Sequence, residues 1–196
     1  MAVTVLNLVL GPAQLYAAAF GSSEPADSAI TPNGVTTPPS TPWVDVGGTD
    51  GGVNLEIDSE YTDLTVDQII MAVGGRLTGI TMQVAAKLSE MTLSNMNLAL
   101  NQIATVTAGS GYSTLDIPVG SSATQPTYSA LIVDGWAPML SSGAPARRRI
   151  IVRKVLSQTK VGLAFDKKTQ DGYDCTWKTY YVSSSIVPVH VVDQQA

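Results

Sequence analysis

The stretch Ile80-Thr81-Met82-Gln83-Val84-Ala85-Ala86-Lys87-Leu88-Ser89 reads as a strand with one buried face. Successive side chains of an extended chain point to opposite sides, so Ile80, Met82, Val84, Ala86 and Leu88 share one face and Thr81, Gln83, Ala85, Lys87 and Ser89 the other. The same period recurs upstream, behind the Gly-rich turn 47–52. There Val53, Leu55 and Ile57 face one way and Glu56, Asp58 and Glu60 the other. Tyr61–Met71 continues as strand, with Gly74-Gly75 as the expected turn or bulge. These runs predict a mainly β fold.

The rest of the chain follows outward from this core. Val3–Leu10 and Gln14–Phe20 read as two strands around Gly11-Pro12. The apolar run 3–20 is short for a membrane span, has no basic residue before it, and is broken by Asn7, Gln14 and Gly11-Pro12, so neither a targeting segment nor membrane insertion is expected. Residues 21–42 hold Pro25, Pro32, Pro38, Pro39 and Pro42 among Ser, Thr, Gly and Asn, a composition that no regular element survives. So long a loop is either an assembly arm or a surface loop. One helix is expected, capped by Thr92, with Leu93, Met96, Leu100 and Ile103 on one face. Tyr112–Val119 is a further strand, Tyr128–Trp136 is apolar on both faces and therefore central, and Arg147–Leu156 is a β-branched strand carrying five basic residues. Val161–Phe165 and Tyr173–Val182 suggest a hairpin around Asp171-Gly172, and Ile186–Val192 closes the chain. The expectation is a single domain over 1–196: a two-sheet β-sandwich or barrel with one flanking helix and a long Pro-rich loop.

Charged residues make up only 14% of the chain while 44% is hydrophobic. A typical soluble domain carries roughly 25% charge, and charge is depleted at interface cores, so the deficit points to surface that ends against other subunits. A Ser/Thr-rich surface solvated without ions is the plainer alternative. Residues 1–75 hold nine acids and no Lys or Arg. The remainder holds all 11 basic residues and seven acids, which leaves −9 and +4 in the two parts. Such polarity favours head-to-tail association of identical chains. A pI near 4.6 speaks against gripping nucleic acid, which needs clustered Lys and Arg.

Residues capable of chemistry are few. Cys175 is the only cysteine and His190 the only histidine, so no intramolecular disulfide can form and zinc has almost no ligands. Cys175 lies between Tyr173 and Trp177 and reads as a small buried hydrophobe. His190 reads as a structural or edge residue. The Gly-rich turns lack the Lys of a phosphate-binding loop. No catalytic, metal or cofactor residue is assigned, and an enzyme is the weakest class. Glu56, Asp58 and Glu60, with Asp63 beyond them, are three carboxylates on one strand face plus a fourth nearby, and they repel one another. They could ligate calcium, line a water-filled surface, or meet the basic set Arg147, Arg148, Arg149 and Arg153 on the same or a neighbouring chain. A solvated strand end is the plain reading of that basic set.

Several runs in a fixed order carry a resemblance. Val44-Asp45-Val46-Gly47-Gly48-Thr49-Asp50-Gly51-Gly52-Val53, Glu60-Tyr61-Thr62-Asp63-Leu64-Thr65-Val66-Asp67-Gln68 and Glu90-Met91-Thr92-Leu93-Ser94-Asn95-Met96 resemble the major tail tube proteins of long-tailed (siphovirus-type) bacteriophages, particularly those of actinobacterial hosts. Gly11-Pro12-Ala13, Leu15-Tyr16, Phe20-Gly21 and Glu24-Pro25 suit that family too. After Val66-Asp67-Gln68 the chain departs from it, with apolar Ile69–Gly75 where relatives often carry charge. The resemblance implies a β fold related to the inner tube of type VI secretion systems. It further implies homohexameric rings stacked into a tube that holds a tape measure protein, meets tail terminator and distal tail proteins, and passes DNA without binding it specifically. The location would be the virion tail, with assembly in the host cytoplasm. On this reading the acids line the lumen or make an acid–Arg contact between subunits, and the prolines of 21–42 form a ring-stacking arm. Two alternatives remain. One is a tail terminator or distal tail protein. The other is a carbohydrate-binding β-sandwich using Trp43, Trp136 or Trp177.

Overall fold

The computed structural model describes residues 7–30, 38–118, 125–163 and 171–195. Among them the elements run β1 (Gln14–Ala19), β2 (Val44–Asp45), β3 (Thr49–Val66), β4 (Ile69–Leu88), α1 (Leu93–Ala99), β5 (Thr105–Ala108), β6 (Ser113–Asp116), β7 (Ser129–Ala137), β8 (Ala146–Ser157), β9 (Tyr173–Thr179) and β10 (Val189–Asp193). The fold is mainly β with one α-helix. The main sheet is antiparallel in the order β2-β1-β7-β8-β9-β4-β3, with β10 added on β8, and β5–β6 forms a small second sheet. β8 is the branch point. One of its edges pairs with β7, while the other is shared between β10 at Arg148–Val152 and β9 at Val155–Ser157.

The main sheet curls. β1 and β4 are four strand steps apart, about 19 Å if the sheet were flat. Yet Val46 N donates to Leu15 O of β1, and two residues on, Gly48 O accepts from Ser89 N just past β4. A two-residue link spans at most about 7 Å, so the two ends of the sheet are drawn together. The enclosed side gathers Leu15, Val84, Leu88, Leu131, Val152 and Trp177, with Leu98 and Ala99 of α1 packed over them. The outer side holds a second cluster that includes Tyr16, Trp43, Ile132 and Ile151. β7 contributes to both, as its two-sided apolar sequence requires.

The helix is shorter than its sequence suggests. Thr92 caps it as expected, its hydroxyl accepting from Asn95 N at 3.1 Å. It stops at Ala99 because Asn101 and Gln102 take φ of 58° and 55°. Asn101 then holds the backbone of Ser157, its Nδ2 donating to Ser157 O at 2.8 Å and its Oδ1 accepting from Ser157 N. Ile103 is left exposed rather than on the packed face. Other boundaries also move. Asn7–Leu10 forms no strand, and residues 1–6 lie outside the described residues. β9 pairs with β4 and β8 instead of with 161–165, of which Val161–Leu163 is not strand and the remainder falls outside the described residues.

The largest difference concerns 61–75. The chain turns at Asp67-Gln68, between the paired Val66 and Ile69, while Gly74 and Gly75 sit inside the ladder opposite Leu64 and Asp63. A two-residue polar turn is the usual hairpin connection, and the glycines instead flank a register shift between Leu64 and Val66.

Candidate assembly site

β3 and β4 are much longer than the sheet that holds them. β4 pairs with β9 only from Gln83 to Leu88, and β3 has no further neighbour among the described residues. From about residue 56 to 82 the two strands therefore project as a free ribbon, roughly ten residues and 30 Å long. Its register sorts the side chains into two faces. Leu55 lies opposite Val84, Ile57 opposite Met82, Ser59 opposite Ile80 and Tyr61 opposite Leu77. This apolar stripe is the outward continuation of the enclosed core, and its exposure rises along its length, from Val84 at 0% to Ile57 at 59% and Tyr61 at 66%. The tip adds Ile69, Ile70 and Met71, all exposed.

The other face is polar, with Glu56 opposite Gln83, Asp58 opposite Thr81, Glu60 opposite Gly79 and Thr62 opposite Arg76. Glu56 accepts from Asn54 Nδ2 at 2.8 Å and Gln83 Nε2 at 2.6 Å. Asp63 falls on the opposite face, beside Tyr61, because β3 has no bulge between them. No three metal-ligating side chains gather among the described residues. An isolated two-stranded ribbon is at best marginally stable in water, and apolar patches of this extent mark interaction sites.

The basic set does not form one exposed face. Strand alternation sends Arg147 and Arg149 to the buried outer side of the sheet and Arg148 to the other side. Arg149 forms a buried bidentate pair with Asp134, its directly opposed neighbour on β7, with Nε–Oδ1 and Nη2–Oδ2 both 2.7 Å. Arg148 pairs with Asp193 of β10 at 2.6 Å, and that bond holds the Asp193 carboxyl below its ordinary range. Arg153 bonds Glu24 at 2.8 Å through Nη2. Arg147 stacks over the Trp136 ring, 4.6 Å from its centroid. None of these four meets Glu56, Asp58 or Glu60 within the chain. Asp134 went unremarked in the sequence, although a lone acid in an otherwise apolar strand was the signal.

The described parts of the Pro-rich stretch, 21–30 and 38–42, do not project from the body. They lie along the chain's own sheet: Glu24 on Arg153, Asp27 on His190 at 3.1 Å, and Trp43 Nε1 donating to Ser23 O at 2.8 Å. Ile30 and Pro39 are buried, Pro25 is half-buried, and Pro38 and Pro42 are exposed. Pro32 lies outside the described residues. Among the described residues the projecting element is the β3–β4 ribbon, while 21–30 and 38–42 lie against the sheet.

His190 sits on β10 opposite Ile151 and meets Asp27, and Cys175 is buried with its thiol pushed up to about 12 by desolvation. Trp43 and Trp177 are buried, and Trp136 carries Arg147 over its ring, so none of the three tryptophans offers an open face. Among the described residues no helix is long and apolar enough to cross a membrane. No protein-family model matches this chain, and no curated protein is recovered as similar to it.

Proposed function

We propose that this chain is a structural subunit that assembles with copies of itself, specifically the major tail tube protein of a long-tailed bacteriophage. Its rings, six-fold by resemblance, would stack into a hollow tube around a tape measure protein. The tube would later conduct DNA and would meet terminator and distal tail proteins at its ends. The observation that carries this reading is the β3–β4 ribbon, an amphipathic element that continues the core outward and leaves the apolar stripe uncovered. Burying such side chains against a neighbour yields on the order of 1 kcal/mol for each half-exposed one, enough in sum to hold a polymer of repeated contacts. Low charge and the ordered runs between Trp43 and Gln102 support the same reading. A net charge of −5 keeps the wall from binding phosphates.

Electron microscopy and sedimentation of the purified protein over a range of concentrations test it. Tubes or stacked rings are expected. Rings that never stack favour a terminator or distal tail protein, and a monomer at every concentration overturns the proposal.

A further inference from the structure

The outer side of the sheet carries two neighbouring cross-strand rows built on arginine. In the first, Arg149 faces Asp134, and the carboxylate takes two hydrogen bonds in the dry interior. Two residues along β8, Arg147 faces Trp136 instead. Gln194, just beyond β10, extends that row on the other side, its N donating to Arg147 O at 2.9 Å and its Oε1 accepting from Arg147 N at 3.3 Å. Trp136 Nε1, Arg147 Nε and Gln194 Nε2 of this second row are buried without an acceptor, and the row's own side-chain acceptor, Gln194 Oε1, is already engaged by Arg147 N.

Buried polar groups in folded proteins are satisfied almost without exception, so three adjacent orphan donors call for an explanation. A comparison within the molecule shows which. Ser157 Oγ, Trp177 Nε1 and Thr179 Oγ1 are also buried without partners, but hydroxyls accept as well as donate, so one water satisfies that set. A water brought into the Arg147 row accepts from at most two of the three donors and brings two hydrogens of its own that need acceptors. What the row lacks is what Asp134 supplies next door, an anionic acceptor with two oxygens. Stacking on Trp136 holds the guanidinium plane in position, and the terminal nitrogens of Arg147, which make no hydrogen bond, keep an opening to solvent although the residue as a whole is 8% exposed.

We infer that the Trp136–Arg147–Gln194 row is a carboxylate-binding site, filled on assembly by Asp58 or Glu60 of a second copy. This rests on the self-assembly proposed above and names one of its contacts. Charge complementarity selects the occupant. Arg148, Arg149 and Arg153 already hold carboxylates of their own chain. On the ribbon, Asp58 and Glu60 are exposed, and among the described residues neither side chain has a cation or hydrogen-bond donor. The ribbon projects its acids away from the body that carries the site, which suits a contact between copies.

Arg147→Gln should leave a folded monomer, judged by circular dichroism and thermal melting, and raise the concentration needed for assembly at least about tenfold. Asp58→Arg with Glu60→Arg should do the same. Combining those two with Arg147→Glu should restore assembly toward the original threshold, because each contact then has opposite signs again. As a check independent of folding losses, Glu60→Cys with Gln194→Cys in a Cys175→Ala background should give a ladder of disulfide-linked oligomers on oxidation. Assembly of Arg147→Gln at the unchanged threshold, or tubes without a ladder, would overturn this site and leave self-assembly standing. A wild-type protein that stays monomeric would overturn both.

Discussion

β4 is one continuous strand with two different lives. From Gln83 to Leu88 it lies between β3 and β9, and Val84 and Leu88 are fully buried against Trp177 and its neighbours. From Ile69 to Met82 it has β3 alone for company, and its apolar side chains lie open. The same period-two pattern runs through both halves. The difference teaches that alternation reports a face meant to be buried, and says nothing about whether the chain itself provides the cover. In the body the cover is the curled sheet and α1. On the ribbon no described residue supplies it, and the proposed cover is a second copy, which low charge and the split of acids and bases favour.

Substitutions should separate the two regions sharply. The largest effect is expected in the body. Asp134→Ala leaves Arg149 charged and buried, and should cost about 3–5 kcal/mol in chemical denaturation of the monomer. A cost under 1 kcal/mol would mean that the pair is not sealed from water. On the ribbon, Ile57→Ser, Tyr61→Ser and Ile80→Thr together should change monomer stability by less than about 1 kcal/mol, since surface changes away from packed groups are nearly neutral. The same triple variant should lose assembly in sedimentation. Equal destabilisation of body and ribbon variants would erase the distinction.

A smaller effect is expected where β10 is fastened. Arg148 lowers the pKa of Asp193, so the ionised carboxylate is favoured by folding. Its contribution is complete above the ordinary carboxylate pKa, near 4, and is lost as pH falls through the depressed value. Amide exchange of Val189–Asp193 should therefore accelerate below about pH 4, and Arg148→Gln should remove that dependence while leaving the ribbon unaffected.

The extent to which these regions were legible follows the same division. Alternation in 53–60 and 80–89, two-sided apolarity in Tyr128–Trp136 and the Thr92 cap all depend on local pattern, and the strands and cap form where they indicate. The turn at Asp67-Gln68 was obscured because Gly74-Gly75 gave a stronger local signal, although glycine serves a bulge as well as a turn. Arg147, Arg148, Arg149 and Arg153 looked like one basic cluster in one dimension. Their partners, Trp136, Asp193, Asp134 and Glu24, lie between 11 and 129 residues away, the first three fixed by strand pairing and Glu24 by the path of the loop. The contacts of 21–30 with the sheet were likewise hidden, because a loop of this composition binds through scattered side chains such as Glu24 and Asp27.

On the proposed reading the ribbon belongs to the assembly and the curled sheet to the single chain. Hydrogen exchange followed residue by residue, in dilute protein and again in sedimented material, tests it most directly. Strong protection of Val84–Leu88 is expected in both states, with fast exchange of 57–66 and 69–82 in the monomer becoming slow after assembly. Ribbon amides already as protected as the body in dilute monomer, with no change on sedimentation, would contradict it.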